Sequence, residues 1–565
     1  MLFWFCVLSA ISLFLTPSFW QATGENRATL INWQVVKIAL AGIVAFFIGY
    51  VGLKDQTISA VFSTIPILYG VLLFGDIVIL SNHNGKANTS IMVTLGIVGV
   101  ISLGFWVTMT FFYPLFIKQD LYYLVQAEEK TEKIQATNIE HIPSVPIESA
   151  HYKGEKLIGQ LANSSYYQLG ELTRQKIDGE EVWIAPIEYQ GYWEASKAGS
   201  IPGYVKVSAE RKDDIGELVD KYEMKYVPSA YFGDNLERLV RSQFPQDIII
   251  GGGFEPDDEG KPYYVIAVGH YGKYRAGTTV DGAVLVDPQT GNMKKYDIKD
   301  VPDFVDFVIP PNLASAYNEW LASYKHGWLN TWMGRQDISE VRMWNTGEEV
   351  IGVFGPDKQM YWFTDHSSPG TNSLKGYTLM NGRTGKLTYY KGSNGFANGK
   401  AALQAVHNSF KKEQWTGTNP ILYNIYGTDT WFVPVIDANG LLRSIALVNA
   451  QNPQIVATGE SKQEALNMYK FKLATEGTQE GDTPTDSSAI KEMSGKVLRV
   501  GSMQIGETTV IQILLDNSEK VFNINPKEST YATFIREGDQ LNMSFIDTNE
   551  AVVSVEKVHN ETLKR

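Results

Sequence analysis

The sequence predicts a multi-pass α-helical membrane bundle, then an α+β soluble region of tandem helix/antiparallel-sheet modules, and finally a small C-terminal all-β barrel. Three observations predict this fold class. The first part of the chain is almost continuously apolar, a strand–strand–turn–strand pattern recurs in the middle, and five short β patterns end the chain. We therefore divide the 565 residues into 1–118 (membrane helices), 119–146 (charged stalk), 147–475 (repeated modules), 476–488 (linker) and 489–565 (barrel).

The membrane part contains four apolar stretches, Leu2–Thr16, Val35–Leu53, Ile58–Leu80 and Ile91–Ile117. The last three are long enough to cross a hydrocarbon core of about 30 Å, which takes about 20 residues. The first is either a retained helix, which we favour, or a cleaved signal segment. We therefore expect about four spans and an integral membrane protein.

Two features of the membrane part leave alternatives open. Asp76 either marks an ion path within the membrane or lies at an interfacial helix end. The juxtamembrane lysines slightly favour a cytosolic soluble region, whereas its Tyr-, Trp-, Asn- and Gly-rich composition favours the extracytoplasmic side of a bacterial cell membrane. We lean to the extracytoplasmic side.

Charge and cysteine content exclude several classes of protein. The formal net charge of -13 disfavours nucleic-acid binding, because an acidic surface repels phosphate backbones. The single cysteine, Cys6, lies in the first apolar stretch, so neither an intrachain disulfide nor a Cys-based zinc site can form.

The linking segments are distinguished by charge and by small polar residues. The run Ala127–Lys133 predicts a charged helical stalk that leaves the membrane. Glu476–Ser488, rich in Thr, Gly, Asp and Ser, predicts a linker before the barrel.

The repeated modules share an aromatic strand, a second strand, a tight turn and a third strand. The three copies contain the strand pairs Pro262–Ala267 with Ala283–Val286, Met360–Phe363 with Gly376–Met380, and Thr430–Val435 with Ser444–Val448; Val182–Ile187 with Gly203–Val207 is a looser relative. The turns begin at Asp287, Asn381 and Asn449. The Asp or Asn side chain is expected to cap the turn backbone, and Gly291 or Gly385 to supply the positive φ.

Helices are predicted around the third copy. Asn398–Lys412 places apolar residues at helical spacing, and Ser461–Glu464 is a capping box that opens a helix to about Leu473. This helix–strand–strand–strand pattern resembles the PepSY-type module of protease propeptides and bacterial envelope proteins. The resemblance implies a non-catalytic binding or regulatory role in the envelope. The third copy departs from the pattern, since Asn452-Pro453 replaces Thr-Gly.

The C-terminal part has a different pattern of predicted strands. Strands are predicted at Gly495–Val500, Thr508–Leu515, Lys520–Ile524, Gln540–Ile546 and Ala551–Val558, with a helix Ser529–Arg536 after the third. This order is similar to an OB-fold, although an SH3-like barrel has almost the same pattern. Phe522, Tyr531 and Phe545 are its candidate stacking rings.

No catalytic, cofactor-binding or metal-binding residues are assigned. Asp365-His366-Ser367-Ser368 brings triad residue types together, but triads assemble from distant positions, so a polar hairpin loop is expected. Gly251–Gly253 lacks the Gly-Lys-Ser/Thr ending of a phosphate loop. Asp257–Glu259 predicts a solvated turn rather than a calcium site, and the His326–Trp332 aromatic cluster is expected to be core.

The sequence supports three functional hypotheses. The first is a membrane-anchored, non-catalytic binding or scaffold protein whose partners are the lipid bilayer and another protein or a cell-envelope polymer. The second is a membrane-tethered nucleic-acid-binding protein that uses the barrel. The third is an enzyme, which requires carboxylates such as Asp257, Glu259 or Asp365 to converge in a cleft.

Overall fold

The structure is a computed structural model, and it describes residues 2–11, 26–82, 89–131, 142–273, 275–341, 350–392, 395–476, 490–505, 508–524, 526, 531–546 and 552–563. These ranges comprise an apolar helical part, a large sheet-rich body and a C-terminal sheet.

Three helices in the described part are long and apolar enough to cross a membrane, at Ile31–Val51, Ile58–Ile77 and Val93–Phe116. The expected fourth span is not shown, because the helix Leu2–Ile11 has only 10 residues and the rest of that stretch lies outside the described ranges. At 1.5 Å per residue it covers about 15 Å, half of a bilayer core. The helical bounds are Leu2–Ile11, Asn26–Phe46, Ile58–Asn82, Thr89–Val107, Tyr113–Phe116 and Lys118–Val125, with π-helical turns at Phe47–Val51 and Thr108–Phe112.

The helical stalk prediction is wrong between Gln126 and Lys130, and residues 132–141 of the predicted stalk lie outside the described ranges. The helix ends at Val125 because Gln126 adopts a left-handed conformation with φ of 46°. Glu128–Lys130 is then a strand that pairs in parallel with Thr388–Tyr390 of the body. Glu128 and Glu129 form ion pairs with Lys386 and Lys391 at 2.8 and 2.7 Å. The charges of this segment therefore attach it to the body.

The body consists of four units of one design. Each has a helix followed by strands that pair antiparallel in chain order. The helices are Ile147–Ile158, Leu236–Gln243, Pro311–Ser323 and Gly399–Ser409. The sequence pattern missed the first strand of each unit, which is glycine-rich in unit two and broken into two pieces in the other units.

The strands of the units are as follows. Unit one has Tyr167–Leu169 with Thr173–Ile177, then Glu180–Tyr189, Tyr204–Ser208 and Glu217–Val219; unit two has Ile248–Phe254, Tyr264–Lys273, Ala276–Val286 and Met293–Asp297. Unit three has Glu340–Val341 with Ile351–Phe354, then Met360–Ser367, Leu374–Asn381 and Leu387–Lys391; unit four has Thr416–Gly417 with Ile421–Ile425, then Thr428–Ile436, Leu442–Asn449 and Val456–Gly459. Further helices are Tyr192–Ala198, Gly327–Leu329 and Lys462–Glu476.

The turn after the third strand is built as the sequence predicts. Oδ1 of Asp287, Asn381 and Asn449 each accepts hydrogen bonds from the backbone N–H groups two and three residues on. Gly291 and Gly385 have φ of 74° and 72°. Unit one closes the same turn with Ser208, whose Oγ accepts from Glu210 and Arg211 N–H.

Each turn also fixes the segment that precedes the helix of its unit. The residue that follows the capping residue accepts hydrogen bonds from this segment through its backbone carbonyl. Ala209 accepts from Ser144 and Val145 N–H, Pro288 from Lys225 and Tyr226, Gly382 from Val308 and Ile309, and Ala450 from Ala397. Because the same bond recurs in all four units, the turn is the clasp that holds helix and sheet together.

A buried indole makes a second clasp in three units. Nε1 of Trp183, Trp362 and Trp431 donates to the carbonyl of Val145, Ile309 and Ala397, each at 2.8 Å. Each indole pairs across the sheet with the residue just before the turn, and Tyr264 occupies the same register in unit two. The repeated aromatic residue is therefore structural in these units.

The C-terminal strands are Ile490–Ile505, Thr508–Leu515, Val521–Ile524, Gln540–Ile546 and Val552–Asn560. The long first strand pairs with the second strand at one end and the fourth at the other, and the third pairs in parallel with the fifth, so the sheet closes into a ring. Only the 3₁₀ turn Ala532–Phe534 is described where a helix was predicted, since residues 527–530 lie outside the described ranges.

Candidate functional site

The triad residue types in the third unit do not form a site together. Asp365, His366 and Ser367 lie on one strand, where successive side chains point to opposite faces. Asp365 accepts from Gly399 N–H and Ser367 from Asn398, both on the side of the fourth unit. His366 points the other way. The segment is buried, so the expected polar hairpin loop is wrong.

His366 is instead held between Ser339 and Asn318. Nδ2 of Asn318 donates to Ala314 carbonyl, so Oδ1 faces the ring and accepts from Nε2 of His366 at 3.0 Å. Nδ1 of His366 then accepts from the Ser339 hydroxyl at 3.0 Å. Burial, and secondarily Lys375, lowers the pKa of His366 to about 3. A base this weak does not take a serine proton near neutral pH, so the network orients a neutral ring.

The glycine-rich motif Gly251–Gly253 and the acidic motif Asp257–Glu259 of unit two have local structural roles. Gly251–Gly253 lies within the strand Ile248–Phe254, where the missing side chain of Gly253 leaves room for the Phe307 ring. Asp257 Oδ1 accepts from the N–H groups of Glu259 and Lys261, which is the expected turn. Asp365 is fully buried, whereas Glu259 of this turn is exposed, so these two carboxylates do not line one cleft.

Asp76 is buried and paired inside the membrane part. Its carboxylate accepts from Lys37 Nζ at 2.8 Å and from Trp33 Nε1 at 2.6 Å. Gly75 lies directly against the Trp33 ring, where a Cβ atom would clash. The acid therefore joins the first and second spans, and it is the second-to-last residue of the span Ile58–Ile77, as expected for the helix-end alternative.

The aromatic cluster near residue 330 is not core at Trp332. Leu329, Trp332 and Met333 are 50%, 76% and 73% exposed. The neighbouring Trp328 ring contacts Phe116, the last residue of the third span, at a centroid distance of 6.4 Å. Because these side chains lie beside the end of a span, the interfacial layer of the bilayer is their natural surroundings.

A junction joins the membrane part to unit two. Arg275 makes two hydrogen bonds to the Asp55 carboxylate, at 2.6 and 3.1 Å, across 220 residues of sequence. Gln56 N–H donates to Pro245 carbonyl at 2.7 Å, and Arg238 Nε donates to Tyr50 carbonyl at 3.2 Å. Burial opposes ionisation of Asp55, but the hydrogen bonds from Arg275 and Thr57 prevail and lower its pKa.

This junction borders an open cavity of about 340 Å³, which we call the junction cavity. It is lined by Ile48, Gly52, Leu53, Lys54, Asp55, Arg241, Ile248, Ile249, Tyr271 and Arg275. Burial and the charge of Arg275 lower the pKa of Lys54 to about 8. The three cations and single carboxylate make the cavity the most evident candidate for an anion site in the described part of the chain.

A second surface carries exposed aromatic rings, and we call it the aromatic patch. It consists of Tyr192, Trp193, Tyr231 and Phe232, which are 42%, 70%, 41% and 62% exposed. The Tyr192 ring lies 5.1 to 6.1 Å from the other three. Phe232 has φ of 52°, which is unusual for a bulky residue and costs of order 1–3 kcal/mol.

Sequence reasoning missed both surfaces. Asp55 and Arg275 are too distant in sequence for spacing to relate them, and Tyr192 and Tyr231 come from different units. Two adjacent aromatic residues in a polar context, as at Tyr192-Trp193 and Tyr231-Phe232, were the one available signal.

Comparison with models of known protein families and with curated protein sequences gives no match for this chain. Its function must therefore be inferred from its own residues.

Proposed function

We propose that the chain is a membrane-anchored, non-catalytic binding or scaffold protein of the bacterial cell envelope, acting through tandem PepSY-like units. The observation that carries this proposal is the contrast between the recurring and the exposed residues. The side chains repeated among the units, such as Asn381 and Trp431, make hydrogen bonds inside their own unit. Exposed aromatic residues occur elsewhere, on the aromatic patch.

The aromatic patch is the proposed binding face. Tyr and Trp give large contact areas with few rotatable bonds, and they are enriched at the centres of interfaces. Phe232 supports the choice, because strained backbone persists where the surrounding structure and function require it. The partner is another protein or an envelope polymer.

Site-specific photocrosslinking tests this face in the full-length protein in living cells. A benzoylphenylalanine placed at Trp193 should crosslink to one reproducible species, protein or polymer. The matched control is the same residue at Ile215, which is also in unit one and is 81% exposed. Identical products at both positions, or none at 193, would contradict the proposal.

The proposed location of the body is the extracytoplasmic side. Its Tyr-, Trp-, Asn- and Gly-rich composition supports this side, whereas Lys54 and Lys118, both near the ends of spans, favour the cytosol by the positive-inside rule. Alkaline phosphatase fused after residue 565 should be active, and a green fluorescent protein fused there should be dark. The reverse pattern would place the body in the cytosol.

A second candidate function is nucleic-acid binding by an OB-like C-terminal barrel. The strand order first–second–third–fifth–fourth, with a long first strand shared by two neighbours, supports the OB-like assignment over the SH3-like one. However, Phe522 and Phe545 are buried, and only Tyr531 and Phe534 are exposed there.

A titration of the full-length protein with single-stranded DNA at low salt tests this alternative. Stacking predicts salt-dependent binding that weakens in a Tyr531→Ala/Phe534→Ala variant. Binding that is absent, or indifferent to salt and to this variant, would exclude it.

A further inference from the structure

The junction cavity holds more positive charge than its own residues neutralise. Arg275 and Asp55 form an ion pair and cancel each other. Lys54 donates to the hydroxyls of Ser63 and Thr64, which are neutral. Arg241 donates only to backbone carbonyls. Within the described ranges, neither Lys54 nor Arg241 forms an ion pair with a carboxylate, so two positive charges remain.

The cavity also offers unused hydrogen-bond donors. Arg241 is 6% exposed, and its Nε and Nη1 atoms make all of its hydrogen bonds within the described part, which leaves Nη2 without one. Lys54 Nζ uses two of its three donors on Ser63 and Thr64. A buried guanidinium edge and an ammonium group with spare donors suit a ligand with several anionic oxygens.

The position of the cavity indicates where such a ligand comes from. The loop that forms one wall connects Val51, the end of the first span, to Ile58, the start of the second. The cavity is therefore at the depth of lipid headgroups. Ile48, Leu53 and Ile249 give the same cavity an apolar side. A phosphate group attached to an apolar body matches both linings.

We propose that the junction cavity binds the phosphate group of an anionic phospholipid, held by Lys54 and Arg241. Bound there, the lipid contacts the loop of the membrane part and the second unit of the body together. It thus stabilises the junction that Asp55 and Arg275 form. This site is independent of the aromatic patch and of the partner that the patch binds.

Lipid retention by the full-length protein tests the site. The protein is reconstituted in phosphatidylcholine nanodiscs with or without phosphatidylglycerol. It is then released from the nanodiscs, and the lipid that stays bound to it is measured by native mass spectrometry. Wild type should retain one phosphatidylglycerol, and Lys54→Met should bind it about fivefold more weakly, the value of one basic residue near a membrane surface. Lys54→Arg should retain it. Lys118→Met, which removes a juxtamembrane lysine outside the cavity, is the matched control.

Two further measurements keep the proposal testable if Lys54→Met does not fold. Raising the salt concentration should release the lipid from wild type, because the attraction is electrostatic. In phosphatidylcholine nanodiscs without phosphatidylglycerol, inorganic phosphate should not be retained in the cavity. If wild type retained inorganic phosphate as strongly as it retains phosphatidylglycerol, the cavity would be a site for a soluble anion and the lipid proposal would be overturned. Equal retention by wild type and Lys54→Met, or equal loss in Lys118→Met, would overturn the site.

Discussion

The membrane helices and the soluble body both bury ionisable side chains, but they neutralise them differently. Between the spans, Asp76 is paired with the opposite charge of Lys37, and both side chains are almost fully buried. In the body, Glu255 is buried against the backbone N–H groups of Asp306 and Phe307, and Asp306 accepts from Lys176 N–H. Asp76 is thus compensated by an opposite charge, whereas Glu255 and Asp306 are compensated by backbone N–H groups.

The difference follows from the surroundings. A bilayer core offers neither water nor free backbone donors, because helices use their own N–H groups internally, so an acid there needs a cation. Loops between the units of the body have N–H groups to spare, and an acid held by them can also become neutral by taking a proton. The ion pair between the spans is therefore expected to respond mainly to mutation, and the acids of the body are expected to respond to pH.

The largest effect is expected from removing one partner of the intramembrane pair. Asp76→Ala removes the carboxylate that pairs with the buried Lys37, which should destabilise the bundle by about 3–5 kcal/mol. Thermal unfolding of the full-length protein in nanodiscs measures this. The double variant Lys37→Met/Asp76→Leu should recover most of the loss, because no isolated charge remains. A double variant as unstable as the single one would contradict the ion-pair interpretation.

The carboxylate pair of the body should respond to pH instead. Burial raises the pKa of Asp306 to about 7, and burial and the charge of Asp306 raise that of Glu255. This pair of acids therefore binds more protons in the folded protein than in the unfolded chain between about pH 4 and 7. The contribution of this pair to stability should be greatest near pH 4 and be lost as the pH rises through 7, by roughly 2–4 kcal/mol, whereas His366, with its lowered pKa, contributes in the opposite direction.

Asp306→Asn should flatten this pH profile, and the Asp257→Asn change in an exposed turn serves as its control. The readout is the melting temperature of the full-length protein from pH 4.5 to 8 by near-ultraviolet circular dichroism, which follows the aromatic-rich body. A difference in melting temperature between wild type and Asp306→Asn that does not change with pH would show that these acids are ionised in the folded state.

Local features of the body were predictable from sequence, and contacts between distant segments were not. The Asp287 and Asn381 turns are determined by four neighbouring residues, so their type and register followed directly. Ser208 makes the same turn but was missed, because Ser has a weaker turn preference and its loop is longer. Asn452 and Pro453 preserve the turn despite departing from Thr-Gly: Asn452 Oδ1 accepts from Gln454 N–H as the Thr290 hydroxyl does from Asn292 N–H.

The candidate sites were less predictable than the fold for the same reason. His366 was considered with its neighbours in sequence, whereas its partners Ser339 and Asn318 lie 27 and 48 residues away. The stalk prediction failed for another reason. The charges of this segment suit an exposed helix, but Lys386 and Lys391 of a distant strand form ion pairs with them and hold the chain extended.

A smaller effect is expected from the indole clasps, which use backbone acceptors like the acids of the body. Trp362→Phe removes the bond to Ile309 carbonyl and leaves that buried acceptor unsatisfied, which should cost about 1–3 kcal/mol. Tyr264→Phe is the matched control, since the hydroxyl of Tyr264 bonds to Glu188 at 3.4 Å instead of to the segment before the helix. Hydrogen exchange in Pro311–Ser323 should rise in Trp362→Phe alone.

The smallest effect should come from the turn side chains, and it distinguishes the units from one another. Replacing Asn381 by Ala removes two backbone caps while Gly385 keeps the turn conformation, so the expected loss is about 1 kcal/mol. Asn449→Ala should cost more, because its turn has no glycine and its bond to the Tyr469 hydroxyl is buried, whereas the bond that Asn381 donates to Gln359 is only partly buried. Melting temperatures of the two full-length variants give the order. An equal loss would mean that the positive φ of Gly385 contributes nothing to closing the turn.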